Sequence, residues 1–253
     1  MSHATPLCLS RASAHRGDKR VAPENTVPAV KLAVEKGAHQ IEFDVTMSSD
    51  GELVIMHDAT VDRTTSGSGA VTELTFAELR SFDAGSWKGP EYAGTRIPTF
   101  REMLEAAPPP VVLNCHLREV PGVIEDTTRQ VIEMGRVEQC VLACSSTQAR
   151  AAQAMCQEVL ICYMDRQGAP STDYPQRAID FGADYLQIWG WDESMGEACD
   201  RLHAAGVKVN YFGTEDPDLM RKLIEAKVDY ILTDDLDTML RVLAEYGVRP
   251  LGR

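Results

Sequence analysis

Short apolar or β-branched runs alternate along the chain with longer segments whose apolar residues recur at helical spacing. The helical segments include Thr26–Lys36, Pro121–Met134, Thr147–Gln157, Pro175–Phe181, Met195–Ala205 and Pro217–Ala226. The apolar runs predict nine strands: Leu7–Ala14, Gln40–Val45, Leu53–His57, Val111–Leu117, Cys140–Cys144, Val159–Met164, Tyr185–Ile188, Lys208–Phe212 and Tyr230–Leu232. About eight strand–helix units predict an α/β fold whose parallel sheet closes into a TIM (β/α)8 barrel.

Two stretches depart from regular alternation. Nine strands exceed the eight of a plain barrel, and we place the surplus within Gln40–His57, where Asp50-Gly51 predicts a tight turn with no room for a helix. The segment Ala59–Pro98 is rich in Gly, Ser and Thr and has one short helical stretch near Phe76–Phe82. We interpret residues 59–98 as a small cap, inserted between the third strand-like run and the next barrel unit of a single domain spanning 1–253.

Charge and hydropathy restrict the classes of partner. The net charge of −13 opposes binding to nucleic acid or to an anionic membrane surface. No apolar run has the length of a membrane span, so we expect no stable membrane insertion. The first ten residues lack the basic and apolar regions of a secretory signal, which favours a cytoplasmic protein. The sequence does not indicate an oligomeric state.

The seven cysteines do not suggest a metal or disulfide framework. Their number is odd, they are scattered, and no C-x-x-C pair occurs. Most lie in apolar runs, so we predict buried, reduced thiols.

Active sites of α/β barrels lie where strands end, so polar residues at the ends of apolar runs carry the chemical information. The first run ends in His15-Arg16-Gly17, which combines a proton-transfer group, an anion-binding fork and a residue suited to a tight turn. The third run ends in a second histidine, His57. One such histidine is more often structural than catalytic, and the neighbouring runs decide the interpretation.

The second run, Ile41–Val45, places Glu42 and Asp44 on one face of a strand that is otherwise apolar. Two carboxylates inside a barrel repel each other and are costly to desolvate, and a divalent cation removes both problems. In the next run His116 and Arg118 share a face. An imidazole and a guanidinium there suit a metal ligand and a phosphate clamp.

These residues lie in motifs that resemble the glycerophosphodiester phosphodiesterase family. The matching residues are AHRGDKRVAPENT (14–26), IEFDV (41–45), DGELVIMHDATVDRTTSGSG (50–69), LTFAELRSFDAGSW (74–87) and IPTFREML (97–104). Weaker similarity continues in LNCHLR (113–118), VNYFGTED (209–216) and VDYILTDD (228–235). The order and spacing of so many elements make this resemblance specific, most firmly in the first half of the chain.

The resemblance implies a TIM barrel, with residues 59–98 as its small inserted cap. It also implies hydrolysis of glycerophosphodiesters to glycerol 3-phosphate and an alcohol, typically with calcium or magnesium. The family's site residues match this sequence as follows: His15 and His57 are acid/base catalysts, Glu42 and Asp44 are metal ligands, Arg16 contacts phosphate, and Glu24-Asn25 shapes the site.

The fourth barrel strand departs from the family pattern. Where the family commonly has Asn-Ile-Glu-Ile-Lys, this chain has His116 in place of the glutamate ligand and Arg118 in place of the lysine. An imidazole ligand favours manganese, cobalt or zinc, whereas family resemblance favours magnesium or calcium. If His116 turns away, only two protein ligands remain.

Aromatic residues near the predicted site also differ from the family. Tyr211 and Phe212 stand where the family often has tryptophan followed by threonine, and we expect Phe212 to contact substrate. Trp189 and Trp191 follow a later strand and either stack on the alcohol portion of the substrate or belong to the core or to an interface.

The sequence therefore predicts a metal-dependent phosphodiesterase that acts on a small-molecule phosphodiester, with a metal held by Glu42, Asp44 and His116. One alternative is a lyase-type enzyme that releases a cyclic phosphate. A second is a non-catalytic phosphate- or metabolite-binding barrel in which His116 reflects lost activity. A third, a purely structural metal barrel, is disfavoured by the two arginines.

Overall fold

Strands and helices alternate through residues 10–252, the part of the chain that the computed structural model describes. The strands are β1 (Arg11–His15), β2 (Gln40–Met47), β3 (Leu53–Ile55), β4 (Val112–Leu117), β5 (Cys140–Cys144), β6 (Leu160–Tyr163), β7 (Tyr185–Trp189), β8 (Lys208–Phe212) and β9 (Tyr230–Thr233). The helices are α1 (Val27–Lys36), α2 (Phe76–Ser81), α3 (Phe100–Ala106), α4 (Val123–Glu133), α5 (Ser146–Met155), α6 (Tyr174–Phe181), α7 (Met195–Ala204), α8 (Pro217–Glu225) and α9 (Leu236–Glu245).

Eight of the strands form a closed parallel barrel. Pairing runs from β1 through β2, β4, β5, β6, β7, β8 and β9, and β9 pairs with β1. The ninth strand, β3, pairs antiparallel with β2, with Val45 opposite Ile55. The TIM barrel is thus confirmed, and the surplus strand forms a hairpin with β2, as Asp50-Gly51 predicted.

The helices follow their predicted segments closely, and two helices lie outside the predicted set. These are α3 and α9. Helix α3 begins with a reciprocal capping box, in which Thr99 accepts from the backbone N–H of Glu102 and Glu102 accepts from the backbone N–H of Thr99. Helix α1 is closed by Gly37, whose backbone is left-handed.

Side-chain alternation on β2 separates two environments. Ile41, Phe43 and Val45 are fully buried in the main apolar core. Glu42 and Asp44 project to the opposite face and are also buried, as the sequence predicted. Another apolar cluster includes Val141, Ala143, Cys162 and Tyr185, with Tyr230 packed against it.

Residues 59–98 contain little regular structure. They hold α2 and two short 3-10 turns, Val71–Glu73 and Pro90–Tyr92. Their apolar side chains form a separate small cluster with the β3 region: Val54, Met56, Val61, Val71, Leu79, Ala84 and Ile97. The interpretation of this segment as a cap within a single domain remains a prediction.

Five cysteines are buried as predicted, namely Cys115, Cys140, Cys144, Cys162 and Cys199, whereas Cys156 is partly exposed. Cys8 and the start of the first predicted strand lie outside the described residues. Between residues 10 and 252, no helix combines the length and the apolar character that crossing a bilayer requires.

Candidate active site

The loop after β1 carries the first site residues on a strained backbone. Arg16 and Asn25 both adopt positive φ, at 58° and 57°, and the Asn25 N–H donates to the Arg16 carbonyl over 3.0 Å. Gly17 has φ of 80°, and a Cβ there would lie 2.7 Å from the backbone carbon of Ala29. Glycine is therefore required at this turn. Left-handed non-glycine residues cluster at functional sites.

Two buried carboxylates lie beside this loop. Strand register places Glu42 next to His15 and Asp44 next to His116. Burial, reinforced by the charge of Asp44, raises the pKa of Glu42 well above its ordinary value. Burial would also raise the pKa of Asp44, but the hydrogen bond from His116 and the charges of Arg118 and Arg16 hold it well below its usual range.

Glu42, Asp44 and His116 form a candidate metal site. Each offers a ligand atom within 4.8 Å of the others. His116 Nδ1 lies 3.2 Å from Asp44 Oδ1 and 3.9 Å from Glu42 Oε1. Two buried carboxylates and an imidazole within this distance are a donor set that fits a divalent cation. His116 faces the carboxylates and does not turn away.

Asp44 is held by three side chains from two loops. Asn25 Nδ2 donates to its Oδ2 over 2.9 Å, and Arg118 donates to its Oδ1 over 2.8 Å. Arg16 Nε lies 3.4 Å from Asp44 Oδ2. The Nε atoms of both arginines are buried and make no hydrogen bond among residues 10–252. These donors can bind an anion that enters the barrel mouth.

His15 forms a triangle with two residues that sequence reasoning did not assign. Its Nδ1 lies 2.7 Å from Asp234 Oδ1, and Lys19 Nζ lies 2.7 Å from Asp234 Oδ2. Burial lowers the pKa of His15, and the charges of Lys19 and Arg16 lower it further against the opposing hydrogen bond to Asp234. The hydrogen bonds from His15 and Lys19 outweigh burial and lower the pKa of Asp234 to about 2.

The ring of His15 also packs edge-on against Phe212, with ring centroids 5.4 Å apart. Its Nε2 lies 3.9 Å from Glu42 Oε2, on the side of the candidate metal site. With the Nδ1 proton donated to Asp234, Nε2 keeps a lone pair for proton transfer.

His57 is connected to this group through other side chains. Its Nδ1 lies 2.6 Å from Asp58 Oδ1, and Arg63 joins Asp58 to Glu24. Glu24 in turn accepts from Arg16 over 2.7 Å. Glu24, Asn25 and His57 line one small cavity together with Thr64. The site residues thus gather at one end of the barrel, with His57 at the edge of the group.

Two kinds of residue were missed by sequence reasoning. Asp234 lies just after β9 in the motif VDYILTDD, and its place after a strand was a usable signal. Lys19 and Arg63 lie in irregular loops, where no periodicity indicates the direction of a side chain. Of the two candidate stacking residues, Trp189 is 63% exposed, whereas Trp191 packs on the main core.

Comparison with known proteins identifies similar sequences. The model of the glycerophosphoryl diester phosphodiesterase family matches residues 15–238. A glycerophosphodiester phosphodiesterase from Caldanaerobacter subterraneus subsp. tengcongensis is 31% identical over 240 residues, which cover 92% of this chain and 98% of that protein.

Solved structures show the same similarity. A glycerophosphodiester phosphodiesterase from Agrobacterium tumefaciens superposes with a TM-score of 0.79 at 26% identity, covering 91% of this chain and 98% of that one. A phosphodiesterase from Oleispira antarctica, in complex with the product sn-glycerol-3-phosphate, gives a TM-score of 0.79 at 29% identity, covering 92% and 96%.

Proposed function

Because the chain belongs to the glycerophosphoryl diester phosphodiesterase family, we propose that it hydrolyses glycerophosphodiesters to glycerol 3-phosphate and an alcohol. The observation that carries this proposal is the convergence of Glu42, Asp44 and His116 with Arg16 and Arg118 at the barrel mouth. Paired carboxylates, an imidazole and two guanidinium groups suit a metal and a phosphodiester. The small-molecule substrate is therefore expected to bind here.

The arginines bind the phosphate. The guanidinium groups of Arg16 and Arg118 donate to its non-bridging oxygens and balance their charge. Phe212, packed against His15, contacts the carbon skeleton of the substrate. A divalent cation held by Glu42, Asp44 and His116 would act as a Lewis acid on a phosphate oxygen.

The two histidines move the protons. His15 and His57 each have Nδ1 fixed by a carboxylate, Asp234 and Asp58 respectively, which leaves each Nε2 available. One histidine takes the proton from the attacking oxygen, which belongs to water or to a neighbouring hydroxyl of the substrate, and the other protonates the leaving alcohol. If the hydroxyl attacks, a cyclic phosphate forms, and water then opens it to glycerol 3-phosphate with the roles of the two histidines exchanged. Asp234 and Asp58 act by orienting the rings.

The metal follows from the ligand set. Imidazole is a weaker ligand for calcium and magnesium than a carboxylate oxygen, and it suits manganese, cobalt or zinc. We propose that His116 moves the preference of this site toward these transition metals.

The product bound to the Oleispira enzyme is the acyclic sn-glycerol-3-phosphate, which favours hydrolysis over release of a cyclic phosphate.

The test is turnover of glycerophosphocholine by metal-stripped protein, with calcium, magnesium, manganese, cobalt or zinc added back separately. Phosphorus NMR distinguishes glycerol 3-phosphate from a cyclic phosphate. We expect glycerol 3-phosphate as the final product. Accumulation of the cyclic product would support a lyase instead. If no cation restores turnover of this diester or of bis-p-nitrophenyl phosphate, the chain is a binding protein or acts on another diester.

A further inference from the structure

Arg63 lies in the segment 59–98 and joins two site residues that approach from different loops. Its Nε donates to Asp58 Oδ2 over 2.6 Å, and its Nη2 lies 3.1 Å from Asp58 Oδ1. On the other side, Nη1 and Nη2 donate to the two oxygens of Glu24 over 3.0 and 2.8 Å. One guanidinium therefore binds two carboxylates, each by two hydrogen bonds.

Each of these carboxylates holds a site residue. Asp58 contacts Nδ1 of His57 at 2.6 Å, and Glu24 accepts from Nη1 of Arg16 at 2.7 Å. The contacts thus run from a proposed acid/base histidine, through Asp58, Arg63 and Glu24, to a proposed phosphate-binding arginine. Neither Asp58 nor Arg63 had a predicted role.

We propose that Arg63 is a positioning residue for phosphodiester hydrolysis, fixing the His57 ring through Asp58 and the Arg16 guanidinium through Glu24. The inference rests on the proposed function, because it assumes that His57 and Arg16 act on the diester. Arg63 acts through Asp58 and Glu24, since four of its five N–H groups already donate to these carboxylates.

Electrostatics agree with this geometry. Hydrogen bonds from Arg63 hold the pKa of Asp58 well below its usual range. Burial opposes ionisation of Glu24, but hydrogen bonds from Arg63 and Arg16 lower its pKa. Both carboxylates therefore stay charged and keep strong hydrogen bonds to their partners.

Because Arg63 is partly exposed, its loss should have little effect on folding stability, which allows a positioning role to be tested through turnover. Its side chain is 47% exposed and that of Glu24 is 10% exposed, but Glu24 keeps its hydrogen bond from Arg16 when Arg63 is lost, so no buried carboxylate is left without a partner. Loss of Arg63 should therefore affect turnover much more than the melting temperature. Arg63 is not the sole connection between the segment 59–98 and the loop after β1, because Lys88 Nζ also donates to the Lys19 carbonyl over 2.7 Å.

Arg80 provides a matched control. It lies in the same segment and forms a comparable fork with Glu102, with distances of 2.8 and 2.6 Å, but Glu102 lies in α3 and holds no site residue. Arg80→Gln removes an equivalent ion pair without touching the contacts that reach His57 and Arg16.

The experiment compares Arg63→Gln, Arg63→Lys and Arg80→Gln on glycerophosphocholine, after wild-type turnover has been established. We expect Arg63→Gln to lower kcat/KM by about 10- to 100-fold, mainly in kcat, as loss of an orienting partner does. Arg63→Lys should fall between, because it keeps the charge and loses the fork. Arg80→Gln should stay within about 3-fold of wild type, as a surface substitution away from the site should.

Two further measurements distinguish positioning from a general effect. In the variant combining Arg63→Gln with Asp58→Asn, the loss of kcat should be smaller than the product of the two single losses, because both changes interrupt the contacts that reach His57. Nitrogen NMR of the His57 ring should show that the Nδ1–H form is less populated in Arg63→Gln than in wild type, and that it is unchanged in Arg80→Gln.

Multiplicative effects on kcat, or an Arg63→Gln variant that behaves like Arg80→Gln, would overturn the inference. Absence of wild-type turnover would instead count against the proposed function.

Discussion

Two histidine–aspartate pairs lie at opposite ends of the barrel and have the same hydrogen-bond length. His15 and Asp234 meet at 2.7 Å after the ends of β1 and β9, and His203 and Asp229 meet at 2.7 Å near the end of α7 and the start of β9. The pairs have equal length but use different ring nitrogens, Nδ1 of His15 and Nε2 of His203, and their surroundings differ as well.

The surroundings give the pairs different functions. Asp229 Oδ2 also accepts from the backbone N–H of Val209 over 2.7 Å, so this pair ties α7 to the starts of β8 and β9. His15, in contrast, is bounded by Lys19, Arg16 and the buried Glu42. In parallel barrels reactive groups gather where strands end, and the opposite end contributes stability. A hydrogen-bonded pair alone does not identify a catalytic histidine.

The largest expected difference between the ends is in turnover. His15→Asn should lower kcat by about 10²- to 10⁴-fold, because it removes a proton-transfer group. His203→Asn should leave kcat within about 3-fold, with a stability loss of about 1 kcal/mol for the lost hydrogen bond. Steady-state kinetics measures kcat of the two variants, and urea unfolding measures their stability. Equal losses of kcat in the two variants would remove the distinction between the ends.

At the end of the barrel where His203 and Asp229 lie, a core substitution should reduce stability and leave turnover unchanged. Tyr185 is 3% exposed, and its ring lies 6.1 Å from that of Tyr230. Tyr185→Ala should cost about 3–5 kcal/mol, as large-to-small core changes do, while kcat per folded molecule stays unchanged. Tyr185→Phe, which keeps the ring, is the control. Urea unfolding measures the cost, and a kcat loss in folded Tyr185→Ala would show that the ends are coupled.

The buried carboxylate at the catalytic end should make stability depend on pH. Because the pKa of Glu42 is raised in the folded state, its stabilising contribution is present below the ordinary carboxyl range and is lost as pH rises. Metal-free Glu42→Gln should therefore gain stability over wild type as pH rises above about 5, where an ordinary glutamate is ionised. Denaturant titrations at several pH values check this. If the difference in unfolding free energy between the two proteins did not change with pH, it would contradict a raised pKa of Glu42 in the folded state.

His39, just before β2, should make stability depend on pH in the opposite direction from Glu42. Burial, together with the charge of Arg11, lowers its pKa to about 4 against the opposing hydrogen bond that Nε2 donates to the Arg249 carbonyl. Its Nδ1 accepts from the Ala12 N–H. Its contribution is present above pH 6.5 and lost as pH falls toward 4, up to about 3 kcal/mol from the difference in pKa. His39→Gln should reduce this loss, measured by unfolding between pH 4 and 7. An unchanged loss would place the acid sensitivity elsewhere.

Regular features of the molecule could be predicted because they follow periodicity. Alternation on β2 placed Glu42 and Asp44 on the interior face, and Asp50-Gly51 placed the hairpin. Helix α3 was missed although the pair Thr99 and Glu102, which forms its capping box, was a usable signal in the sequence.

The site was predicted where a strand fixes the direction of a side chain. His116 and Arg118 meet Asp44 as the β4 register requires. Lys19 and Arg63 lie in loops and reach the site through backbone turns, so spacing gives no signal for them. Asp234 follows a strand and was open to prediction, but its pairing with His15 depends on closure of the barrel between β9 and β1.

The central claim is that Glu42, Asp44 and His116 hold the catalytic metal. The most direct measurement is turnover of glycerophosphocholine by metal-stripped wild type and His116→Glu, titrated with manganese or calcium. The account predicts that manganese supports wild type better than calcium and that His116→Glu shifts the preference toward calcium by about 10-fold or more, because a hard oxygen replaces nitrogen. The same metal preference in both proteins would contradict a ligand role for His116.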